Sequence, residues 1–114
     1  MSYDVILVGA GPVGIEMATV LKRAGMSYLH LEAGPIGNTI TRWPRNTQFF
    51  SSPEWIAIAG VPIQTPGQEI ITGESYLAYL RQVVELFSLD VHTYERVTGV
   101  GGEEGRFTVP TTAL

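Results

Sequence analysis

One short run constrains this chain more than any other: Gly9-Ala10-Gly11-Pro12-Val13-Gly14, a G-x-G-x-x-G loop set between an apolar stretch and a helical one. Before it, Val5-Ile6-Leu7-Val8 is continuously apolar and rich in β-branched residues, as expected of a parallel strand buried on both faces. After it, a helical pattern runs from about Val13 to Ala24. Gly14, Met17, Ala18 and Leu21 share one face, and Glu16, Lys22 and Arg23 lie off it. Lys22 and Arg23 also suit the negative end of the helix dipole, and Gly25 suits the residue just past the helix. In isolation the glycine pattern is weak, but between strand and helix it acquires a mechanism. Gly9 permits the tight turn, Gly11 lets a pyrophosphate approach the backbone, and Gly14 lets the helix lie close to the strand. The free N–H groups of the helix start face the phosphate charge.

Tyr28-Leu29-His30-Leu31-Glu32 reads as the second strand of the same unit, ended by Ala33-Gly34-Pro35. Glu32 stands 18 positions after Gly14, where a carboxylate accepts hydrogen bonds from an adenosine ribose. Together these features predict a dinucleotide-binding βαβ unit.

The remainder must fit one domain, because 114 residues suffice for one real core and not for two of ordinary size. A 45% hydrophobic and 16% charged composition suits a globular chain rather than a disordered one. A net charge of -4 lacks the basic footprint of a nucleic-acid binder. With no cysteine, the chain carries no disulfide or thiolate metal site, which fits a reducing compartment. No signal-peptide pattern and no bilayer-length apolar run is evident, so a cytoplasmic protein without membrane contact is expected.

Residues 35 to 73 hold Pro35, Pro44, Pro53, Pro62 and Pro66, with at most a helical turn near Glu54 to Ala59. The stretch is too apolar for a linker, since Trp43, Phe49, Phe50, Trp55 and Ile56 need somewhere to pack. Long irregular segments of this kind are usually functional. Glu74 to Ser88 is the clearest later helix, with Tyr76, Leu77, Leu80, Val83, Val84 and Phe87 in a stripe. Asp90 to Tyr94 reads as a strand. Val97 to Val100 and Arg106 to Val109 read as a hairpin turning through residues 101 to 105. Right-handed crossovers then give an α/β, Rossmann-like, three-layer domain. Its three parallel strands are ordered 3-2-1, with a small β-hairpin added. The expected domain is single, spans 1–114 and is truncated, with an exposed sheet edge that invites pairing, including with a second copy.

The loop lies within ten residues of the N-terminus, the acid is Glu rather than Asp, and Ala33-Gly34 follows it. These features favour FAD as the dinucleotide. An NAD(P) domain is the alternative, although Arg42 and Arg45 lie far beyond the usual place for meeting a 2′-phosphate.

Beyond the loop, Asn46-Thr47-Gln48-Phe49-Phe50-Ser51-Ser52-Pro53-Glu54, Gly60-Val61-Pro62-Ile63 and the run from Tyr76 to Val84 are distinctive. With them, nearly the whole chain resembles the N-terminal part of thioredoxin-reductase-like flavoproteins, specifically the bacillithiol-disulfide-reductase-like group of pyridine nucleotide-disulfide oxidoreductases. The resemblance implies an FAD domain interrupted by an NAD(P)H domain and completed by a final segment. In such enzymes NADPH reduces FAD, which passes electrons onward. It implies cofactor contacts from Gly9, Gly11, Pro12, Val13 and Gly14, and from Glu32 and Ala33. Gly37, Asn38, Thr47 and Phe50 would add contacts from a loop over residues 37 to 52 that runs along the pyrophosphate and flavin. Two departures stand out. Val13 occupies a position that is cysteine in members associated with bacillithiol, and a valine cannot attack a disulfide. The NAD(P)H domain and closing segment are not within residues 1–114.

Plainer roles compete for several residues. Phe49, Phe50, Trp43 and Trp55 each suit core filling better than flavin cover. Ser51 and Ser52 suit either the cofactor or a helix cap at Pro53. His30 reads as a packed or edge residue and His92 as an ordinary strand residue, with no metal-ligand spacing between them. Tyr76, Tyr79 and Leu80 read as helix packing, and Glu103-Glu104 as a solvated turn. No catalytic side chain is named by the sequence. Three functions are in play: the FAD-binding part of an NAD(P)H-dependent flavin oxidoreductase, a non-catalytic nucleotide-binding module or subunit, and a flavin monooxygenase-like N-terminal domain.

Overall fold

A computed structural model describes residues 2–65 and 70–113. The 66–69 portion of the proline-rich excursion, including Pro66, lies outside the described residues.

β1 (Val5–Val8) leads through the glycine loop into α1 (Pro12–Arg23), which returns the chain to β2 (Tyr28–Leu31). Pro12 starts α1 at a position where its missing N–H costs nothing. Gly25, at φ +72, ends the helix turn, and its N–H donates to the Lys22 carbonyl. β1 and β2 pair in parallel from Val5↔Tyr28 to Val8↔Leu31. β3 (Val91–His92) pairs in parallel with β2, giving a sheet ordered β1-β2-β3.

Two sequence expectations shift here. The buried stripe of α1 is Ile15, Ala18, Thr19 and Leu21, whereas Met17 is exposed together with Val13 and Val20. The helix is rotated because Gly14, not a larger residue, is what meets the strand. β1 is also not buried on both faces. Ile6 is exposed and Val8 is 57% exposed, while Val5 and Leu7 are half-buried. α1 packs on one face only, and no described strand pairs with the far edge of β1.

The excursion contains α2 (Asn38–Thr41) and α3 (Pro53–Ile56). It is fastened to α4 (Gly73–Leu86) by aromatic packing. Trp43 meets Phe49 at 5.1 Å between centroids, Phe49 meets Tyr76 at 4.8 Å, and Tyr76 meets Tyr79 at 5.6 Å. The tyrosine hydroxyls do more than pack. Tyr76 Oη donates to the Ile56 carbonyl at 2.7 Å, and Tyr79 Oη donates to Val61 O and accepts the Ile58 N–H at 2.9 Å. They hold the 56–61 loop where backbone groups would otherwise be buried unpaired. Burial pushes the Tyr76 hydroxyl up to about 12, with smaller pushes from Tyr79 and Glu16. α4 starts one residue earlier than the sequence pattern suggests, because Thr72 caps it by accepting the Ser75 N–H. Its buried face includes Tyr76, Tyr79, Leu80 and Val83.

After β3 the chain forms β4 (Glu95–Val97), β5 (Gly101–Glu103), β6 (Arg106–Thr108) and β7 (Thr111–Ala113). The expected hairpin is present with different strands. β5 pairs with β6 around Glu104-Gly105, and Val97 pairs with Thr111 in a separate ladder between β4 and β7. Gly105, at φ +83, accepts the left-handed turn and moves the bend to 104–105.

Candidate nucleotide site

The glycine loop bends where its residues permit. Gly9 takes φ +104, a conformation open to glycine, and its N–H donates to Leu31 O at 2.8 Å. A Cβ on Gly14 would lie 2.2 Å from the Gly9 carbonyl oxygen, so only glycine allows this approach of helix to strand. Gly11 is different. Its backbone (φ -83, ψ -171) is ordinary, and no atom lies within 4 Å of the place a Cβ would take. The open space over Gly11 is where a ligand can reach the main chain. Because Pro12 has no N–H, the first amides α1 presents are those of Val13 and Gly14. No side chain caps this helix start and no acidic residue stands in its first turn. Such an end attracts a diphosphate.

Glu32 follows directly on β2. Its Oε1 accepts the Ala10 N–H at 2.8 Å and its Oε2 accepts the Gly34 N–H at 2.7 Å. Its backbone is held too: Glu32 N–H donates to His92 O, and Glu95 N–H donates to Glu32 O, both at 2.9 Å. Each carboxylate oxygen keeps a further lone pair. Glu32 lines a cleft of about 260 Å³ together with Gly11, Pro12, Asn38 and Thr39. The opposite wall is fixed by Gly37, which starts α2 at φ +70 and donates its N–H to Ala10 O at 2.9 Å. Asn38 lies against Gly34, where a Cβ would fall 2.6 Å from Asn38 Cγ. A carboxylate beside an uncapped helix start and a side-chain-free bend is a donor set that fits a ribose attached to a diphosphate.

His30 is the site residue that sequence reasoning did not single out. It is 0% exposed, and its Nε2 lies 2.6 Å from Gly9 O. A carbonyl only accepts, so Nε2 carries the proton. Nδ1 is buried and has no hydrogen-bond partner among the described residues. Burial pushes the imidazole below its usual range, aided by His92 and opposed by the Gly9 hydrogen bond and Glu32. Its place two residues before Glu32 on the strand was the available signal, since alternate strand residues share a face.

The other expected residues are distributed unevenly. Val13 is 81% exposed, and Ala33 is half-buried beside Glu32. Thr47 lies outside the cleft. Its hydroxyl donates to Pro44 O at 2.6 Å and its carbonyl accepts the Gly73 N–H at 2.8 Å. Phe50 also lies outside it and is 105% exposed, as Trp55 is at 83%, whereas Trp43 and Phe49 pack into the aromatic chain. Ser52 precedes α3 without a side-chain cap bond to its backbone, and its hydroxyl instead holds the Glu54 carboxyl below its ordinary range. A larger depression, about 460 Å³, opens between Pro53 and Thr65, away from the glycine loop. Among the described residues, no three His, Asp or Glu side chains group as metal ligands, and no helix is long and apolar enough to cross a membrane.

The family described as pyridine nucleotide-disulphide oxidoreductase matches residues 6–113. Bacilliredoxin reductase Bdr of Bacillus subtilis is 35% identical over 80 residues, 70% of this chain and 24% of that protein. The solved bacillithiol disulfide reductase Bdr from Bacillus cereus superposes with a TM-score of 0.92 at 35% identity, covering 99% of this chain and 35% of that one. A flavin monooxygenase from Stenotrophomonas maltophilia superposes with a TM-score of 0.87 at 29% identity, covering 96% and 33%. The chain thus spans a quarter to about a third of the length of these proteins.

Proposed function

We propose that this chain, which belongs to the pyridine nucleotide-disulphide oxidoreductase family, is the FAD-holding part of an NAD(P)H-dependent flavin oxidoreductase. One observation carries the reading: Glu32 faces the same cleft as the open main chain at Gly11 and the uncapped start of α1. In this reading the Val13 and Gly14 amides receive the diphosphate, and the free lone pairs of Glu32 accept the adenosine ribose hydroxyls. Asn38 borders the sugar. Thr47 and Phe50 lie farther along the excursion, on the path of the flavin end. FAD supplies the acceptance of electrons from NAD(P)H and their onward transfer. The chain's own residues bind and orient it. The domain is then a Rossmann-like unit of sheet order 3-2-1, incomplete at β1, whose exposed Ile6 and Val8 belong against further chain or a second copy. A cytoplasmic setting belongs to the same reading.

A flavin monooxygenase is the second reading, supported by the Stenotrophomonas likeness and by Val13, which cannot serve as a disulfide-attacking thiolate. Titration with FAD, followed by quenching of flavin fluorescence, tests the binding. One equivalent of FAD is expected per chain, and a protein that remains colourless and leaves free-flavin fluorescence unchanged refutes it. Assaying NADPH oxidation with and without a disulfide acceptor, on the protein carrying all its domains, separates reductase from monooxygenase.

A further inference from the structure

The Gly9 carbonyl and the Ala10 N–H are the two ends of one peptide unit. The carbonyl accepts from His30 Nε2 at 2.6 Å, and the N–H donates to Glu32 Oε1 at 2.8 Å. His30 lies in β2 and Glu32 directly follows it, two positions on, so their side chains leave the chain on the same side. We infer that His30 and Glu32 clamp the Gly9–Ala10 peptide from both ends, making His30 a positioning residue for the phosphate-facing loop. The inference rests on the nucleotide reading above and assigns a role to a residue that touches no ligand.

The chemistry of the core supports a role beyond packing. His30 is fully buried and leaves Nδ1 without a partner. A buried polar atom without a partner destabilises a fold, and an apolar side chain of similar size would avoid that loss. What the imidazole adds is one donor, aimed at the carbonyl that also meets Gly14. Turning this peptide over would remove the Ala10 N–H from Glu32 and place a carbonyl oxygen against the carboxylate. The clamp therefore fixes both the course of the main chain toward Gly11 and the direction of the Glu32 carboxylate.

Burial, and not the bond to Gly9, is what favours the neutral ring. The groups acting on its charge are the Gly9 carbonyl, Glu32 just after β2 and His92 on β3, and Gly14 of α1 also lies beside the ring. Protonation would place a second N–H, at Nδ1, where the described residues offer no acceptor. Because the folded ring gives up its proton more readily than an unfolded one, its contribution is complete above about pH 6.5 and is lost as pH falls below that value.

The test compares His30→Leu, which removes the donor, with His30→Gln, whose amide can place an N–H near the Nε2 position. FAD affinity, thermal melting and exchange of the Ala10 amide proton are measured on the 114-residue chain. His30→Leu is expected to bind FAD at least tenfold more weakly, with only a small change in melting, because the stranded Gly9 carbonyl offsets the relief of the unpaired Nδ1. His30→Gln is expected to remain within about threefold of wild type. Equal FAD affinity in wild type and His30→Leu overturns the inference, as does His30→Gln binding as weakly as His30→Leu. If the wild-type chain takes up no FAD, the nucleotide reading fails and amide exchange decides the clamp alone. Exchange at Ala10 at least tenfold faster in His30→Leu than in wild type and His30→Gln upholds it, and equal rates overturn it.

Discussion

Gly11 and Gly14 should respond to the same alanine substitution in opposite ways. At Gly14, the new Cβ would lie 2.2 Å from Gly9 O and 3.0 Å from Gly9 C. The oxygen contact falls about 0.8 Å short of the closest approach real Cβ atoms show. The obstructing atom is backbone and cannot swing away. It is held by His30 Nε2, and the Gly9 N–H is bonded to Leu31 O. Relief requires α1 to lift from β1, which disturbs the packing of Ile15 and Ala18, both fully buried. Overpacking of this kind costs about 1–3 kcal/mol. Melting of Gly14→Ala should therefore drop by about 5 °C or more. At Gly11, the Cβ meets no atom within 4 Å and the backbone suits any residue, so stability should stay within about 0.5 kcal/mol of wild type. The methyl group would stand instead where the diphosphate must approach, weakening FAD binding by about tenfold or more. Thermal melting and FAD titration on both variants read the two effects. A Gly14→Ala protein as stable as wild type would refute the packing account. A Gly11→Ala protein that binds FAD normally would refute the placement of the ligand.

Glu32→Gln keeps the shape but puts an amide group where one carboxylate oxygen now accepts a backbone N–H. It should cost about 1–3 kcal/mol in denaturant unfolding and weaken FAD binding as well, and an unchanged unfolding midpoint would count against the double hydrogen bond. Tyr79→Phe leaves the buried Ile58 N–H without its acceptor and should destabilise by about 1–3 kcal/mol in the same assay, with Tyr76→Phe milder because it strands only a carbonyl. Tyr76, pushed up to about 12, contributes stability that is complete below pH 10 and is lost as pH rises through 12. Burial also raises Tyr28 and Tyr79, so ultraviolet titration should show several delayed phenolates, of which Tyr76→Phe removes the one near pH 12.

The βαβ unit was legible because its signals are local. A β-branched run, three glycines at fixed offsets and an acid 18 residues on each state a backbone requirement at their own positions. The long helix was legible from its period. What sequence hid depended on partners distant along the chain. Met17 lies on an apolar period yet is exposed, because the helix turns on Gly14 to meet Gly9. Ile6 and Val8 look like core because β-branched runs usually are, but here only one face of β1 is covered. The hairpin strands moved because Gly105, not the Gly101-Gly102 pair, makes the bend. The aromatic residues split for the same reason. Trp43 and Phe49 reach Tyr76, whereas Phe50 points away from it in the next position along the chain. His30 was visible as a residue but not as a donor, since nothing in one strand reveals which carbonyl will lie opposite it.

The hydrogen bond from Gly37 to the Ala10 carbonyl joins the two walls of the nucleotide cleft. Each wall is separately anchored, one through β2 and the other through α2, which meets α4. The slot is therefore assembled as the chain folds, and little ordering of the protein is left for the moment of capture. An adenosine arriving there meets a rigid receptor, so its association should follow concentration in simple proportion, without the plateau that a slow opening step would impose.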